Sequence, residues 1–140
     1  MTKVNDIFRR LHDDVCDRVA PIDVRLVIGR EVEFPLVRNC AYCVATDPIT
    51  IVLAPKLVHA DKDRVEAVLR HEFGHAVDFA AGEKNITQLA RNVGYPMPNT
   101  PERRADAIAL LVWGKPIRYD ADTIQSLCRG VSPRPAYLGL

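Results

Sequence analysis

The sequence contains no long hydrophobic run and no excess of either charge, and both absences exclude classes of protein. Its longest apolar stretches, residues 51–55 and 105–113, fall well short of the roughly 20 residues that a membrane-spanning helix requires. The 19 Lys and Arg residues are balanced by 18 Asp and Glu residues, which leaves a formal charge of +1. The arginines are scattered, so no basic stripe would attract a nucleic acid or an anionic membrane. We therefore expect neither a membrane protein nor a nucleic-acid-binding protein.

The sequence also has no secretory signal and no internal repeat. Polar and charged residues fill the N-terminal segment MTKVNDIFRR, where a signal peptide would be apolar, and this predicts a cytoplasmic protein. At 140 residues and 48% hydrophobic composition, the chain is long enough to bury a core without disulfides. We expect a single domain over residues 1–140, with an irregular tail at 131–140.

Segments rich in β-branched residues predict a small sheet. DVRLVIGR and EVEFPLVR, which together cover residues 23–38, predict two strands with a tight connection near Gly29. Pro35 places the second of these strands at an edge or in a bulge. Residues 39–48 predict a loop, and ITIVLAP at 49–55 predicts a third strand. The expected sheet is mostly antiparallel.

Apolar residues at spacings of three and four predict the first two helices. An N-terminal helix is expected to begin with Asn5 as its cap and to end before Pro21. A central helix is predicted from a capping-box pattern at Asp63 and Glu66, and Gly82 is expected to end it.

The second half of the chain predicts a long loop and two more helices. Residues 83–99 contain several Gly, Pro and Asn residues, which indicates a loop with about one helical turn near 86–90. Thr100 then predicts a helix cap before a helix that ends at Gly114, and a short helix is expected over 122–129. The overall prediction is an α+β fold in the order helix, sheet, helix, loop, helix.

The central helix contains an H-E-x-x-H pattern that begins at His71 and ends at His75. Residues four apart on a helix share a face, so the two imidazoles can converge on one zinc ion. Glu72 is expected beside the metal, where it can take a proton from a metal-activated water and pass it to a leaving amine. For a chain with 4 His and 6 Glu residues, chance predicts only about 0.005 occurrences of the pattern.

A catalytic zinc site needs a third protein ligand and an open position. The two other histidines, His12 and His59, lie in no ligand-like context, whereas Glu102 begins the next helix and can complete a His₂Glu set. Asp106 lies four residues further on, flanked by alanines, where it suits a buried hydrogen bond to a liganding imidazole. The alternative for Glu102 is an acidic residue in a first helical turn, stabilised by the helix dipole.

Tyrosines are candidates for donating a hydrogen bond to a tetrahedral oxyanion, a second electrophile that many zinc peptidases need. The sequence has four of them, Tyr42, Tyr95, Tyr119 and Tyr137. Tyr95 is the strongest candidate because its loop joins the two helices that carry the motifs. Its alternative role is packing beside Pro96.

The cysteines are expected to be thiols, because the predicted compartment is reducing. Cys40 and Cys43 form a C-x-x-C pair that could be half of a second metal site, with Cys16 and Cys128 completing it. A structural zinc usually has two tight pairs, and this sequence has one. We therefore expect the C-x-x-C pair to be dispensable for zinc binding, and Cys16 and Cys128 to be small buried hydrophobic residues.

The segments LRHEFGHAVDF and ERRADAIALL resemble those of a known family. They are similar to the gluzincin class of zincin metallopeptidases, most closely the small ImmA/IrrE-type proteins with H-E-x-x-H and E-x-x-A-[ND] motifs. The resemblance covers about residues 49–113. It implies zinc ligation by His71, His75 and Glu102, with Glu72 as the general base.

The resemblance also implies that the ITIVLAP strand lines a substrate cleft and that Asp106 orients an imidazole. The sequence departs from known patterns at two points, and these limit which family properties we expect in this protein. Asp78 stands where metzincins have a glycine, which disfavours that class. LLVWGKP replaces the family's usual Leu-Leu-Met-Pro ending, and no helix-turn-helix region is apparent, so an anti-repressor role is not carried over.

The sequence therefore predicts a minimal zincin-like α+β domain that acts as a zinc metallopeptidase. One Zn²⁺ per chain would activate a water molecule to hydrolyse peptide bonds in a protein or peptide substrate. The alternative is a zincin-shaped protein-binding or sensing module that binds zinc without turnover. Glu72 favours the enzyme, because a module that only bound zinc would not need it.

Overall fold

Helices and a small sheet make up the computed structural model, which describes residues 2–19, 21–34, 40–92 and 100–113. In chain order the elements are α1 (Thr2–Arg18), β1 (Val24–Ile28), β2 (Ala41–Val44), β3 (Ile49–Leu53), α2 (Lys62–Ala81), α3 (Glu83–Asn92) and α4 (Pro101–Trp113). This arrangement confirms the predicted α+β fold. None of the helices in the described ranges combines the length and apolarity needed to cross a bilayer.

The sheet is mixed rather than mostly antiparallel. β3 lies in the middle, parallel to β1 and antiparallel to β2. The predicted strand over residues 31–38 is wrong for its first part, because Glu31–Glu33 forms a 3₁₀ turn in which Val32 is exposed. The second strand lies instead in the segment predicted as a loop. Its alternating residues place Ala41 and Cys43 against the core, and such a short alternation is easily overlooked.

The core lies between the inner face of the sheet and helices α1 and α2. α1 contributes a buried stripe at helical spacing, and α2 contributes a second stripe that runs from Val65 through Leu69 and Phe73 to Val77. The Phe73 ring packs near the rings of Phe8 and Trp113. Burial of these stripes fixes the direction of α2, and therefore the face on which the H-E-x-x-H residues emerge.

Two predicted helix starts are wrong, and a local contact explains the second correction. α1 already begins at Thr2, so Asn5 lies inside the helix and does not cap it. α2 is capped by Asp61, whose side chain accepts a hydrogen bond from the Arg64 N–H at 3.0 Å, instead of by a box that starts at Asp63. Glu66 pairs with arginines rather than with the cap. The predicted end of α2 at Gly82 is confirmed.

The loop predicted over residues 83–99 is also partly wrong, because α3 occupies its first ten residues. Ile86 is buried against the other helices, and this packing stabilises a helix whose remaining residues are mostly polar. The start of α4 is confirmed, with the Thr100 hydroxyl accepting a hydrogen bond from the Arg103 N–H at 3.2 Å. The predicted helix at 122–129 and the tail at 131–140 lie outside the described residues.

Candidate metal centre

Helices α2 and α4 cross in backbone contact at Gly74, inside the H-E-x-x-H pattern. A Cβ atom added to Gly74 would lie only 2.8 Å from the Ala105 Cα, a separation that real side chains do not tolerate. Ala105 itself is fully buried at this crossing. The absence of a side chain at Gly74 therefore lets the first turn of α4 approach the histidines of α2.

Three side chains that the sequence predicts as metal ligands converge beside this crossing. The His71 Nε2 lies 2.7 Å from the Glu102 Oε2, and the His75 Nε2 lies 3.1 Å from the Glu102 Oε1. One ligand atom from each residue falls within 4.8 Å of the other two. Across the described ranges, this is the single group of three or more His, Cys, Asp or Glu residues with such a geometry.

Asp106 contacts the other nitrogen of the first imidazole. The His71 Nδ1 lies 2.8 Å from the Asp106 Oδ1, which leaves the Nε2 to face Glu102. The expectation that this hydrogen bond is buried is wrong, because the Asp106 side chain is 64% exposed. The neighbouring alanines Ala105 and Ala107 face the protein interior, so the residue between them points out along the flank of α4.

Glu72 lies on α2 between the two histidines and is almost completely buried, with 6% of its surface exposed. In the part of the chain that the structure describes, its Oε1 has no hydrogen-bond partner. Burial raises the pKa of Glu72 to about 7; the charge of His71 opposes this shift and the charge of Glu102 adds to it. A carboxylate with this pKa can both accept and release a proton near neutral pH.

The two imidazoles differ in their electrostatic environment. Burial lowers the pKa of both, but at His71 the hydrogen bonds to Asp106 and Glu102 outweigh burial and raise the pKa above its ordinary value. At His75 burial prevails over the attraction of Glu102, and the pKa stays below its ordinary value. A metal binds the neutral form of imidazole. Because the pKa of His75 is lower than that of His71, His75 is in this form at a lower pH.

Comparisons with protein-family models, with curated proteins and with solved structures return no match. The resemblance to gluzincins therefore remains a prediction from the two motifs. What the structure adds to it is the spatial convergence of His71, His75 and Glu102.

Several other candidates from the sequence lie away from this cluster. The His12 Nε2 is 2.8 Å from the Ile22 carbonyl oxygen, and His59 is exposed in a 3₁₀ turn after β3. The Tyr42 ring packs near Phe34 on the sheet face that points away from α2. The remaining tyrosines, Tyr95, Tyr119 and Tyr137, lie outside the described residues, as does Cys128.

Cys43 lies in a strand that faces the core and not in the predicted loop. It lies on the inner face of β2, opposite Ile51 of β3. Burial raises the pKa of its thiol to about 12, and the charge of Glu72 adds to the shift. The alternation of inward and outward residues in AYCV is the signal that places it there.

The other described cysteines are also thiols, as predicted. Cys40 accepts a hydrogen bond from the Arg64 Nη2 at 3.3 Å, and Cys16 donates one to the Ile22 carbonyl oxygen at 3.7 Å. Cys16 is half-buried rather than fully buried. In the described ranges, no cysteine joins a group with metal-binding geometry.

Proposed function

We propose that this protein is a zinc-dependent metallopeptidase. The observation that carries the proposal is the convergence of the two imidazole Nε2 atoms on the two oxygens of Glu102, next to the buried carboxylate of Glu72. A cluster with only a structural role would not need a buried, unpartnered acid between its histidines.

The donor set fits a zinc ion. Two imidazole nitrogens and one carboxylate oxygen are the ligands of many catalytic zinc sites, and the hydrogen bonds among them show that they can reach one point. His71, His75 and Glu102 would hold the metal. When bound, zinc supplies Lewis acidity, which polarises a carbonyl group and lowers the pKa of a water molecule.

Two further residues of the chain would prepare the reaction. The Glu72 carboxylate, with its pKa raised to about 7, would accept a proton at Oε1 and later release it to the leaving amine. The Asp106 carboxylate would accept the His71 Nδ1–H, which fixes the tautomer and the orientation of that ring.

The sequence predicts that the ITIVLAP strand, which is β3, lines the substrate cleft. We propose β2 for this role instead. β3 is the middle strand and is paired on both sides. β2 pairs with β3 among the described strands, and it carries Cys43, whose thiol pKa the charge of Glu72 helps to raise. An extended peptide that lies along β2 would pass the candidate site.

Hydrolysis of a peptide mixture tests the proposal. The zinc-loaded protein is incubated with peptides of diverse sequence, and new termini are identified by mass spectrometry. We expect cleavage by the wild type, none by Glu72→Gln with zinc still bound, and none by His75→Ala with zinc lost. Cleavage that persists in Glu72→Gln would contradict the mechanism, and zinc binding without cleavage would favour the sensing module.

A further inference from the structure

A buried ion pair joins the two helices that carry the candidate metal ligands. The Arg104 Nε lies 2.9 Å from the Asp78 Oδ1 and 3.0 Å from the Asp78 Oδ2, and both side chains are less than a tenth exposed. Asp78 follows His75 by three residues on α2, and Arg104 follows Glu102 by two residues on α4. The pair is therefore the nearest charged link between the helices outside the site itself.

Stability alone does not account for a charged pair at this position. Taking two charges out of water costs more than their attraction usually returns, so apolar residues of similar volume hold helices together at least as well. Burial raises the pKa of Asp78 more than Arg104 lowers it. Unlike an apolar pair, the ion pair provides a directional contact.

Direction matters here because Glu102 reaches His71 and His75 only if the turn of α4 that carries it is aligned with them. Its side chain is 70% exposed, so packing does not fix its position. The Gly74 contact with Ala105 sets how closely the helices approach, but a contact at one point does not by itself fix the rotation of α4 about its own axis. The Arg104 Nε–H, shared between both oxygens of Asp78, ties α4 to α2 and restricts rotation of α4 at the turn from which Glu102 projects.

We propose that Asp78 and Arg104 are positioning residues that hold Glu102 against His71 and His75. This proposal rests on the metal site of the proposed function. In this proposal the ion pair aligns α4 on α2. The alignment sets the zinc affinity of the three ligands, and the pair also helps to hold the fold together.

The test replaces both charges at once. In the double variant Asp78→Leu/Arg104→Met, the helices keep an apolar contact, so thermal unfolding of the metal-free protein should stay close to that of the wild type. The zinc Kd, measured by competition with a chelator, should rise about 10- to 100-fold, as is typical when partners that orient a ligand are lost. An unchanged zinc Kd in the folded double variant would overturn the proposal.

Two further variants separate positioning from general anchoring of α4. Arg104→Lys keeps the charge but not the Nε–H that both Asp78 oxygens share, and its Kd should lie between those of the wild type and the double variant. It also gives a result if the double variant does not fold, since an unchanged Kd here would count against the proposal. Asp14→Ala removes the 2.8 Å hydrogen bond from the Trp113 Nε1 at the far end of α4 and should leave the Kd unchanged. An equal loss of affinity in Asp14→Ala would contradict positioning by the ion pair.

Hydrolysis is measured separately on the same proteins. A wild type that binds zinc and cleaves no peptide overturns the proposed function, whereas the comparison of zinc Kd values still decides the role of Asp78 and Arg104. A wild type that binds no zinc overturns both.

Discussion

At the scale of single residues, two acids one helical turn apart make different contacts. Glu102 uses its two oxygens on two imidazoles, whereas Asp106 contacts only the Nδ1 of His71. The Nδ1 faces away from the point where the Nε2 atoms converge. The contacts therefore favour Glu102 as a ligand and Asp106 as the residue that orients a ligand.

Substitution of each acid should separate these roles. Glu102→Ala removes one of three candidate ligands, so zinc binding should fall severely. Asp106→Ala keeps the three ligands and loses only the orientation of one ring, so zinc affinity should fall about 10- to 100-fold. Zinc titration of both variants measures the difference, and a larger loss in Asp106→Ala would reverse the assignment.

The buried carboxylate of Glu72 should make the metal-free protein sensitive to pH. Its pKa is about 7 in the folded state against 4.5 for an unperturbed group, so the folded state retains the proton between these values. The penalty for ionising the buried carboxylate is therefore absent below about pH 4.5, grows as pH rises from there to about 7, and stays constant at higher pH. Glu72→Gln removes that penalty. The stability of Glu72→Gln relative to the wild type should increase by about 2 kcal/mol between pH 5 and pH 8.

Chemical denaturation of both metal-free proteins at the two pH values measures this effect. A constant difference in unfolding free energy would mean that Glu72 ionises freely in the folded protein. In that case its role as a base with a raised pKa would be wrong.

The sequence predicts some of these residues better than others. The shared face of His71 and His75 follows from helix periodicity, and the choice of Glu102 follows from the need for a third ligand and from the resemblance of the ERRADAIALL segment. Cys43 and the Asp78–Arg104 pair do not follow, because they depend on which strand and which helix face α2. Contacts between distant segments of the chain are not encoded in local periodicity.

At the scale of secondary-structure elements, the crossing of α2 and α4 determines whether a site forms. Gly74 allows this crossing, because any side chain there would meet the Ala105 backbone. In a free helix, alanine is favoured over glycine by about 1 kcal/mol. Here the clash with backbone atoms should outweigh that gain, since overpacking a tight contact costs about 1–3 kcal/mol.

Gly74→Ala should accordingly lower the stability and also weaken zinc binding, because α4 and Glu102 must move away from the histidines. Gly82→Ala is the matched control. Its backbone φ of +91° disfavours alanine, but open space surrounds the added Cβ, so it should cost stability without moving α4. Zinc titration of both folded variants checks this; normal affinity in Gly74→Ala would show that the site does not need the close crossing.

The sheet shows which strands can be predicted from composition and which cannot. β1 and β3 were recognisable from their β-branched residues, and their existence is confirmed. The segment over residues 31–33 was expected in a strand but forms a 3₁₀ turn, and Val32 remains 77% exposed there. Composition indicates which residues fit a sheet, whereas pairing decides which of them form one.

At the scale of the whole molecule, α1 holds the two motif helices together from the side away from the candidate ligands. Arg10 binds Glu66 of α2 at 2.9 Å, and Asp14 accepts the hydrogen bond from Trp113 of α4. Arg18 also donates to the carbonyl oxygen of Val112. These contacts join segments that are far apart in the sequence. Local sequence patterns therefore predict the order of the helices but not the arrangement that brings the candidate ligands together.

The most direct test of the central claim is the zinc-edge X-ray absorption spectrum of the protein loaded with one equivalent of zinc. The account predicts tight binding of one ion per chain, with nitrogen and oxygen neighbours at about 2.0–2.1 Å and the scattering pattern of two imidazoles. No tight binding, or a sulfur neighbour at about 2.3 Å from a cysteine site, would contradict it.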